Sequence, residues 1–402
     1  MNAMPLPPSP SSLRGPALRG WLAGLALVGA LGLACGSAAA AGKKPYSYYV
    51  TGNADAPVQI TTPPTTPSVV LMGGGPDVDQ AFRWMISRAG VQPGTGGRFV
   101  VIRATGTDAY DPYIFYSDAS NTVSTTWADG WVGGASLGLS SVETLVIPST
   151  AAANDPFVNN VVAQAQAVFI AGGDQSDYIK YWKGTALDRT LQNLMARNVP
   201  IGGTSAGLAV LGQFDYAALK GTVTSTQALD DPFNRYMTLD PNPLSLTGGF
   251  LAPSILANTI VDAHLDARDR MGRLITFVAR LVAPASGTGC AGGILSAGLP
   301  ATTAARGIGV DVETALLVQG NGSQQPVTAR RVTNPSTTTT SAVYFVRPLN
   351  PPTQCAAGKP LTMTTVELRK LADNTVFNLT DWTGVNAYYV DAIGGTLTSD
   401  PY

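Results

Sequence analysis

The sequence predicts an α/β fold: a doubly wound, mostly parallel sheet with flanking helices, extended at its C-terminal end by a β-rich region. Three observations carry that prediction. Apolar runs of strand length alternate with segments whose apolar residues recur at helical spacing. Several runs end in glycine turns that open at once into a helical pattern, as strand-to-helix corners do. Beyond about residue 320 the helical patterns give way to short runs separated by turn residues.

With 402 residues, 45% hydrophobic and 13% charged, the chain can bury a full core in one large domain or two. Its 25 basic and 26 acidic residues nearly cancel, so no general field attracts nucleic acid or an anionic membrane. The 44 glycines and 29 prolines favour turns and loops over a helical bundle. The expected organisation is an export signal at 1–41, a flexible lead-in at 42–67, a catalytic α/β domain at 68–320, and C-terminal strands and loops at 321–402 packed on the same domain.

Arg14 and Arg19 precede an apolar run from Trp21 to Ala34, and small residues follow, which is the layout of an export signal. The apolar run is short of the roughly 20 residues that a membrane span needs. Two cleavage chemistries compete: Ala38-Ala39-Ala40 suits an ordinary signal peptidase, whereas Leu33-Ala34-Cys35-Gly36 is a lipoprotein-like site that would anchor the chain at Cys35. Either way the product is exported, periplasmic or secreted. Cys290 and Cys355 then remain as an even pair in an oxidising compartment, where a disulfide between them is plausible. Three cysteines and one histidine make a structural zinc site a poor fit, and the chemistry needs neither metal nor organic cofactor.

Ser68 to Met72 reads as a buried strand, closed by Gly73-Gly74-Gly75 and followed by a helix from Asp77 to Ala89. No Lys-Ser/Thr follows those glycines and they lack the G-x-G-x-x-G spacing, which argues against a nucleotide site. Their backbone N–H groups can instead face an oxyanion. Buried strands follow at Arg98–Ile102, Val142–Ile147 and Ala167–Ala171, with helical patterns at Asp155–Gln166 and Leu187–Arg197. Alternation of this kind makes a parallel sheet covered on both faces, whose chemistry collects beyond the carboxyl ends of its strands. The turn Gly172-Gly173-Asp174-Gln175 lies at that edge, where Gln175 either contacts substrate or merely caps a helix.

At the same edge stands Pro200-Ile201-Gly202-Gly203-Thr204-Ser205-Ala206-Gly207-Leu208-Ala209-Val210. A strand, a sharp turn and a helix in immediate succession would present the Ser205 hydroxyl as a nucleophile, with small residues on both sides because the corner has no room for larger ones. The Ala206 N–H, at the start of that helix, can hold an oxyanion together with Gly74 or Gly75. After a long loop from Asp215 to Leu251, rich in Gly, Asp, Pro and Thr, comes the only histidine, His264, in Asp262-Ala263-His264-Leu265, followed by Arg268, Arg270 and Arg273 and an apolar helix to about Val282. A serine on an elbow needs a base, and His264 is the one available. The three arginines can bind a carboxylate; as helix-start charges they can also pair with Asp266 and Asp269. Gly307 to Val318 reads as two short strands around an acidic turn that close the sheet. Gln319 to Ser341 reads as a loop, and Ala342 to Val346 as another strand.

Taken in order, the Gly73 turn, Phe169-Ile170-Ala171-Gly172-Gly173-Asp174-Gln175, Gly203-Thr204-Ser205-Ala206-Gly207, Asp262-Ala263-His264 with its arginines, and Gly309-Val310-Asp311 before Thr314-Ala315-Leu316 resemble the cyanophycinases and aspartyl dipeptidases. These are serine peptidases on a class I glutamine amidotransferase-like fold. The resemblance runs from about Ser68 to Val318. It implies that Ser205 is the nucleophile, that His264 is the base, and that a group between them in sequence orients the imidazole. It also implies that Gln175, Asp262, Arg268, Arg270 and Arg273 bind substrate, an aspartyl-arginine peptide or the cyanophycin polymer. Two departures stand out. Gln227 occupies the place expected of an acid, with Asp230 and Asp231 close behind it, and Ala263 and Leu265 flank the histidine in place of a larger polar residue and an aromatic one. The partners implied are a peptide or polymer substrate and, as one arrangement, a second copy in a homodimer, with no nucleic acid and no membrane beyond an anchor at Cys35.

Overall fold

The computed structural model describes residues 43–116, 131–285, 288–320 and 326–402; the segment expected to be an export signal, with Cys35, lies outside them. Strand β1 (Ser47–Gly52) is followed by β2 (Ser68–Met72), α1 (Asp79–Arg88), β3 (Arg98–Arg103), α2 (Tyr110–Phe115), α3 (Gly134–Leu137) and β4 (Ser141–Val146). Next come α4 (Thr150–Ala153), α5 (Pro156–Ala163), β5 (Ala167–Ile170), α6 (Gln175–Trp182), α7 (Ala186–Ala196) and β6 (Ile201–Thr204). A long connection then carries β7 (Asp215–Tyr216), α8 (Ser225–Asp230) and β8 (Leu239–Asp240), before β9 (Thr259–Ala263) and α9 (Met271–Leu281). The remainder is strand: β10 (Arg306–Val310), β11 (Thr314–Gln319), β12 (Thr328–Thr333), β13 (Val343–Pro348), β14 (Met363–Leu371), β15 (Val376–Asn378), β16 (Ala387–Ile393) and β17 (Thr396–Leu397).

Nine strands form the first sheet in the order β1-β4-β3-β5-β6-β2-β11-β12-β15. Its centre, from β4 to β2, is parallel, and the strands outside it run antiparallel. Most residues of these central strands are apolar on both faces because both faces are covered; the buried charged exceptions Arg98 and Glu143 pair with each other. Along β2 and β3, Val70, Met72, Phe99 and Val101 face Phe82 and Met85 of α1, while Val69, Leu71, Val100 and Ile102 share the opposite core with Val158, Leu187 and Leu191 of α5 and α7. Each such aliphatic side chain taken out of water contributes roughly 1.5–3 kcal/mol. Lys44–Tyr402 forms one compact unit.

A second sheet, β17-β16-β14-β13-β10-β9, has one parallel pair, β9 with β10. Helix α9 packs on it, burying Leu274, Ile275, Phe277 and Val278 beside Tyr344 and Val346. The segment expected to close one sheet therefore joins two: β10 belongs to the second sheet and β11 to the first, with the turn between them at the seam. Three further expectations are revised. Residues 47–52 of the expected lead-in pair with β4, the expected loop from Gln319 to Ser341 contains β12, and the 215–251 loop carries α8 and the short β7–β8 pair. Local patterning misses these pieces because partners far away in sequence stabilise them. Cys290 and Cys355 are joined in a disulfide across 65 residues.

Candidate active site

Ser205 follows β6 directly with φ +53°, a left-handed conformation that a residue with a side chain adopts only where its surroundings impose it. Both flanking glycines have a steric reason. A Cβ on Gly203 would come within 2.4 Å of the Gly207 backbone, and one on Gly207 within 2.0 Å of the Ile170 carbonyl. The corner is closed by Ser205 N–H to Met72 O at 3.0 Å and Gly207 N–H to Thr204 O at 2.8 Å. In place of the expected helix, only a 3₁₀ turn at Leu208–Val210 follows. Its few aligned peptides add little dipole, so oxyanion stabilisation falls to individual N–H groups. Those of Ala206, Gly74 and Gly75 donate no hydrogen bond among the described residues.

His264 sits one residue beyond β9, in the other sheet, with φ +50°. The glycine turn after β2 brings it to the serine. Gly73 N–H bonds Thr314 O at 2.9 Å, Gly73 O accepts the His264 N–H at 2.8 Å, and Gly74 O accepts the Glu313 N–H at 2.9 Å, so this turn ties the carboxyl edges of both sheets together. The imidazole lies against the Gly74 Cα: a Cβ there would stand 2.3 Å from Cε1 and 2.6 Å from Nε2. The outcome is a 2.7 Å contact between Ser205 Oγ and His264 Nε2, across 59 positions of sequence.

No described residue hydrogen-bonds Nδ1, so serine and histidine form a dyad. Gln227 does not fill the third position. It is exposed, and its side chain accepts the Thr224 N–H at 3.1 Å while Thr224 Oγ1 accepts the Gln227 N–H, a capping box at the start of α8. The sequence signal for it, T-S-T-Q before apolar residues, is as much a helix-start pattern as a relay pattern. Asp231 accepts the N–H groups of Phe233 and Gly358, and Asp230 lies against Gly395, so neither substitutes. Burial, then the neighbouring Arg268 and Arg270, push His264 down to about 4, and the Asp262 charge opposes them only in part.

Beside the pair opens a cleft of about 230 Å³ lined by Gln175, Ser205, Ala206, Asp262, Arg268, Arg270 and Arg273, among others. Asp174 caps α6 through Ser176 N–H, which leaves Gln175 in the first turn, its Nε2 3.4 Å from Tyr216 O. The arginines have different roles. Arg273 is 2% exposed: its Nε and Nη2 grip both oxygens of Asp262 at 2.7 and 2.6 Å, and Nη1 donates to Val223 O at 3.2 Å. It therefore neutralises Asp262 and is not free for substrate, which revises the expectation for both residues. Arg270 donates to Ala263 O at 2.7 Å and lies 3.7 Å from Asp262, and burial brings it down to about 10. Arg268 is exposed, and its guanidinium group has no hydrogen-bond or ion-pair partner among the described residues. Two carboxylates, Asp174 and Asp262, beside three guanidinium groups leave the cleft positive by one charge, and Arg268 and Arg270 are the cations able to meet an anion.

Sequence reasoning missed the seam that Glu313 makes with Gly74 and the groups that brace the arginine turn. No local pattern marks either.

A hydroxyl on a strained corner, an imidazole at hydrogen-bond distance and a cationic cleft at the carboxyl edge of a parallel sheet define a serine-hydrolase class of site. Residues 132–228, which include Gln175 and Ser205, match the family model described as Peptidase family S51. A curated cyanophycinase from Geminocystis herdmanii is 27% identical over 141 residues, which are 35% of this chain and 46% of that protein; the match thus spans about half the relative's length. Among solved structures, a peptidase from an acI-B1 Actinobacterium aligns at 14% identity over 83% of this chain and 97% of its own, with a TM-score of 0.37. A putative peptidase E from Listeria monocytogenes EGD-e aligns at 14% identity over 67% and 100%, with a TM-score of 0.35. Over the stretches they cover, the family and cyanophycinase matches bear out the resemblance to the cyanophycinase and aspartyl dipeptidase family.

Proposed function

We propose that the protein is an exported serine-type peptidase that hydrolyses aspartyl-arginine peptides of the cyanophycin kind through an acyl-enzyme. The 2.7 Å Ser205–His264 contact carries this reading. Ser205 Oγ attacks the scissile carbonyl while His264 Nε2 takes its proton, and the N–H groups of Ala206 and of Gly74 or Gly75 receive the oxyanion. His264 returns the proton to the leaving amine, then activates the water that releases the acyl group. With no carboxylate on Nδ1 among the described residues, the imidazolium has only the more distant Asp262 charge to favour it, and turnover is slow for a serine peptidase. Arg268 and Arg270 take the substrate's carboxylate, and Gln175 steadies the adjacent backbone.

Export is supported by the N-terminal pattern and by the Cys290–Cys355 disulfide, which suits an oxidising compartment. A cleft of about 230 Å³ has room for one amino-acid side chain with part of its neighbour, which gives an aspartyl dipeptidase with a narrower substrate range as the second reading. Purified chain offered insoluble cyanophycin beside Asp-Xaa dipeptides, with products identified by mass, separates the two. Ser205→Ala and His264→Ala should each remove nearly all hydrolysis with the circular dichroism spectrum unchanged. If the wild-type chain neither turns over substrate nor reacts with a fluorophosphonate at Ser205, a non-catalytic binding protein on this scaffold is left.

A further inference from the structure

Arg268 and Arg270 stand on the turn between β9 and α9, and few side-chain contacts hold their guanidinium groups: that of Arg268 has no hydrogen-bond or ion-pair partner among the described residues, and that of Arg270 donates to Ala263 O and lies 3.7 Å from Asp262. Their positions are set by the backbone of that turn. The turn itself is strained, with His264 at φ +50° and Asp269 at φ +45°, and such conformations persist only where neighbours impose them. On its inner side Asp266 N–H reaches Asp311 Oδ1 and Asp266 Oδ1 accepts the Val312 N–H, both at 3.2 Å. Ser225 Oγ donates to the Asp269 carbonyl and accepts the Arg273 N–H at 3.2 Å.

The remaining brace comes from the far end of the sequence. Tyr402 Oη accepts the Met271 N–H at 3.0 Å and lies 3.1 Å from Leu265 O and 3.2 Å from Asp269 Oδ1. A phenol has one proton, so it donates to one of those two oxygens while it accepts from Met271. One atom thus ties the Met271 end of the 265–271 turn either to its Leu265 end or to its middle at Asp269. Tyr402 is itself anchored on the second sheet: its ring meets Tyr344 edge-on at 5.8 Å, and the Tyr388 hydroxyl donates to Pro401 O at 2.7 Å. Burial raises the phenol above its ordinary value, so it stays a neutral hydroxyl.

We propose that the Tyr402 hydroxyl is a positioning group for the anion-binding arginines, so that recognition of the substrate carboxylate depends on the C-terminal strand layer. This rests on the reading that Arg268 and Arg270 bind that carboxylate. The hydroxyl touches neither Ser205 nor His264, so its loss acts on binding more than on the chemical step.

The test compares wild type with Tyr402→Phe, which keeps the ring on Tyr344, using a β-aspartyl-arginine dipeptide as probe. The expected result is a KM raised about tenfold with kcat within about twofold. Fluorophosphonate labelling of Ser205 stays unchanged, and amide hydrogen exchange quickens across 266–271. A merely structural tyrosine would lower the melting temperature and the active fraction and leave KM alone; an unchanged KM overturns the proposal. If wild type does not turn over the dipeptide, the proposed reaction is what has failed. Exchange across 266–271 then decides the brace by itself, and unaltered exchange in Tyr402→Phe rejects it.

Discussion

The sharpest perturbation is one methyl group on Gly74. Its Cβ would lie 2.3 Å from His264 Cε1 and 2.6 Å from Nε2, where ordinary contact begins near 3.4 Å, so the imidazole must withdraw by about 1 Å. Withdrawal by that much takes a 2.7 Å Ser205–His264 contact beyond hydrogen-bond range. Gly74 also has φ +97°, where an alanine adds roughly 1–2 kcal/mol of backbone strain. A misplacement of about 1 Å at a reacting pair costs on the order of a hundredfold in rate. Gly74→Ala is therefore expected to lower kcat about a hundredfold on an aspartyl-arginine dipeptide and to slow fluorophosphonate labelling alike, while the chain stays folded. Gly75→Ala is the control. It has a comparable φ of +80°, but its Cβ would meet nothing closer than Val312 Cβ at 3.4 Å, so it carries the strain without the displaced ring. Wild-type labelling in Gly74→Ala, or an equal loss in both variants, would refute the claim that packing on Gly74 orients the imidazole.

Gln227→Glu preserves the capping box and adds no relay member, so kcat should match wild type; a clear rise in turnover would restore Gln227 to the site. Arg273→Met leaves Asp262 buried without its partner and should destabilise the chain by about 3–5 kcal/mol in urea unfolding, whereas Arg268→Met should weaken substrate binding and leave the unfolding midpoint in place. His264 acts as a base only when neutral, and burial holds it at about 4, below its free value. Lowering the pH from 7 to 5 therefore keeps it neutral, and the acid limb of kcat/KM should fall near pH 4; a limb centred near 6.5 would mean that the imidazole is not desolvated in this way.

The parallel strands at the centre of the first sheet and helices α1, α5 and α7 were legible in the sequence because each is a local pattern: largely apolar runs where both faces are buried, helical spacing where one stripe is. Ser205 and its flanking glycines were legible for a similar reason, since a corner that tight tolerates few residues. His264 was found by elimination as the only histidine. Gln227 was misassigned because a helix-capping T-x-x-Q and a relay residue look alike until the fold says which way the side chain turns. The role of Arg273 stayed hidden because an arginine that salt-bridges a buried aspartate has the same letter as one that meets substrate.

By itself the sequence determined the chemistry available: one hydroxyl on a glycine-flanked corner, one imidazole, a run of arginines and a sheet edge to place them on. Only the tertiary structure decided how these are used. It set β10 and β11 in different sheets, made the Gly73–Gly75 turn the seam between them, and brought Tyr402 back to brace the arginine turn. Those contacts join segments from 59 to more than 200 residues apart, and pairings at such range depend on how whole layers dock, which no window of sequence contains.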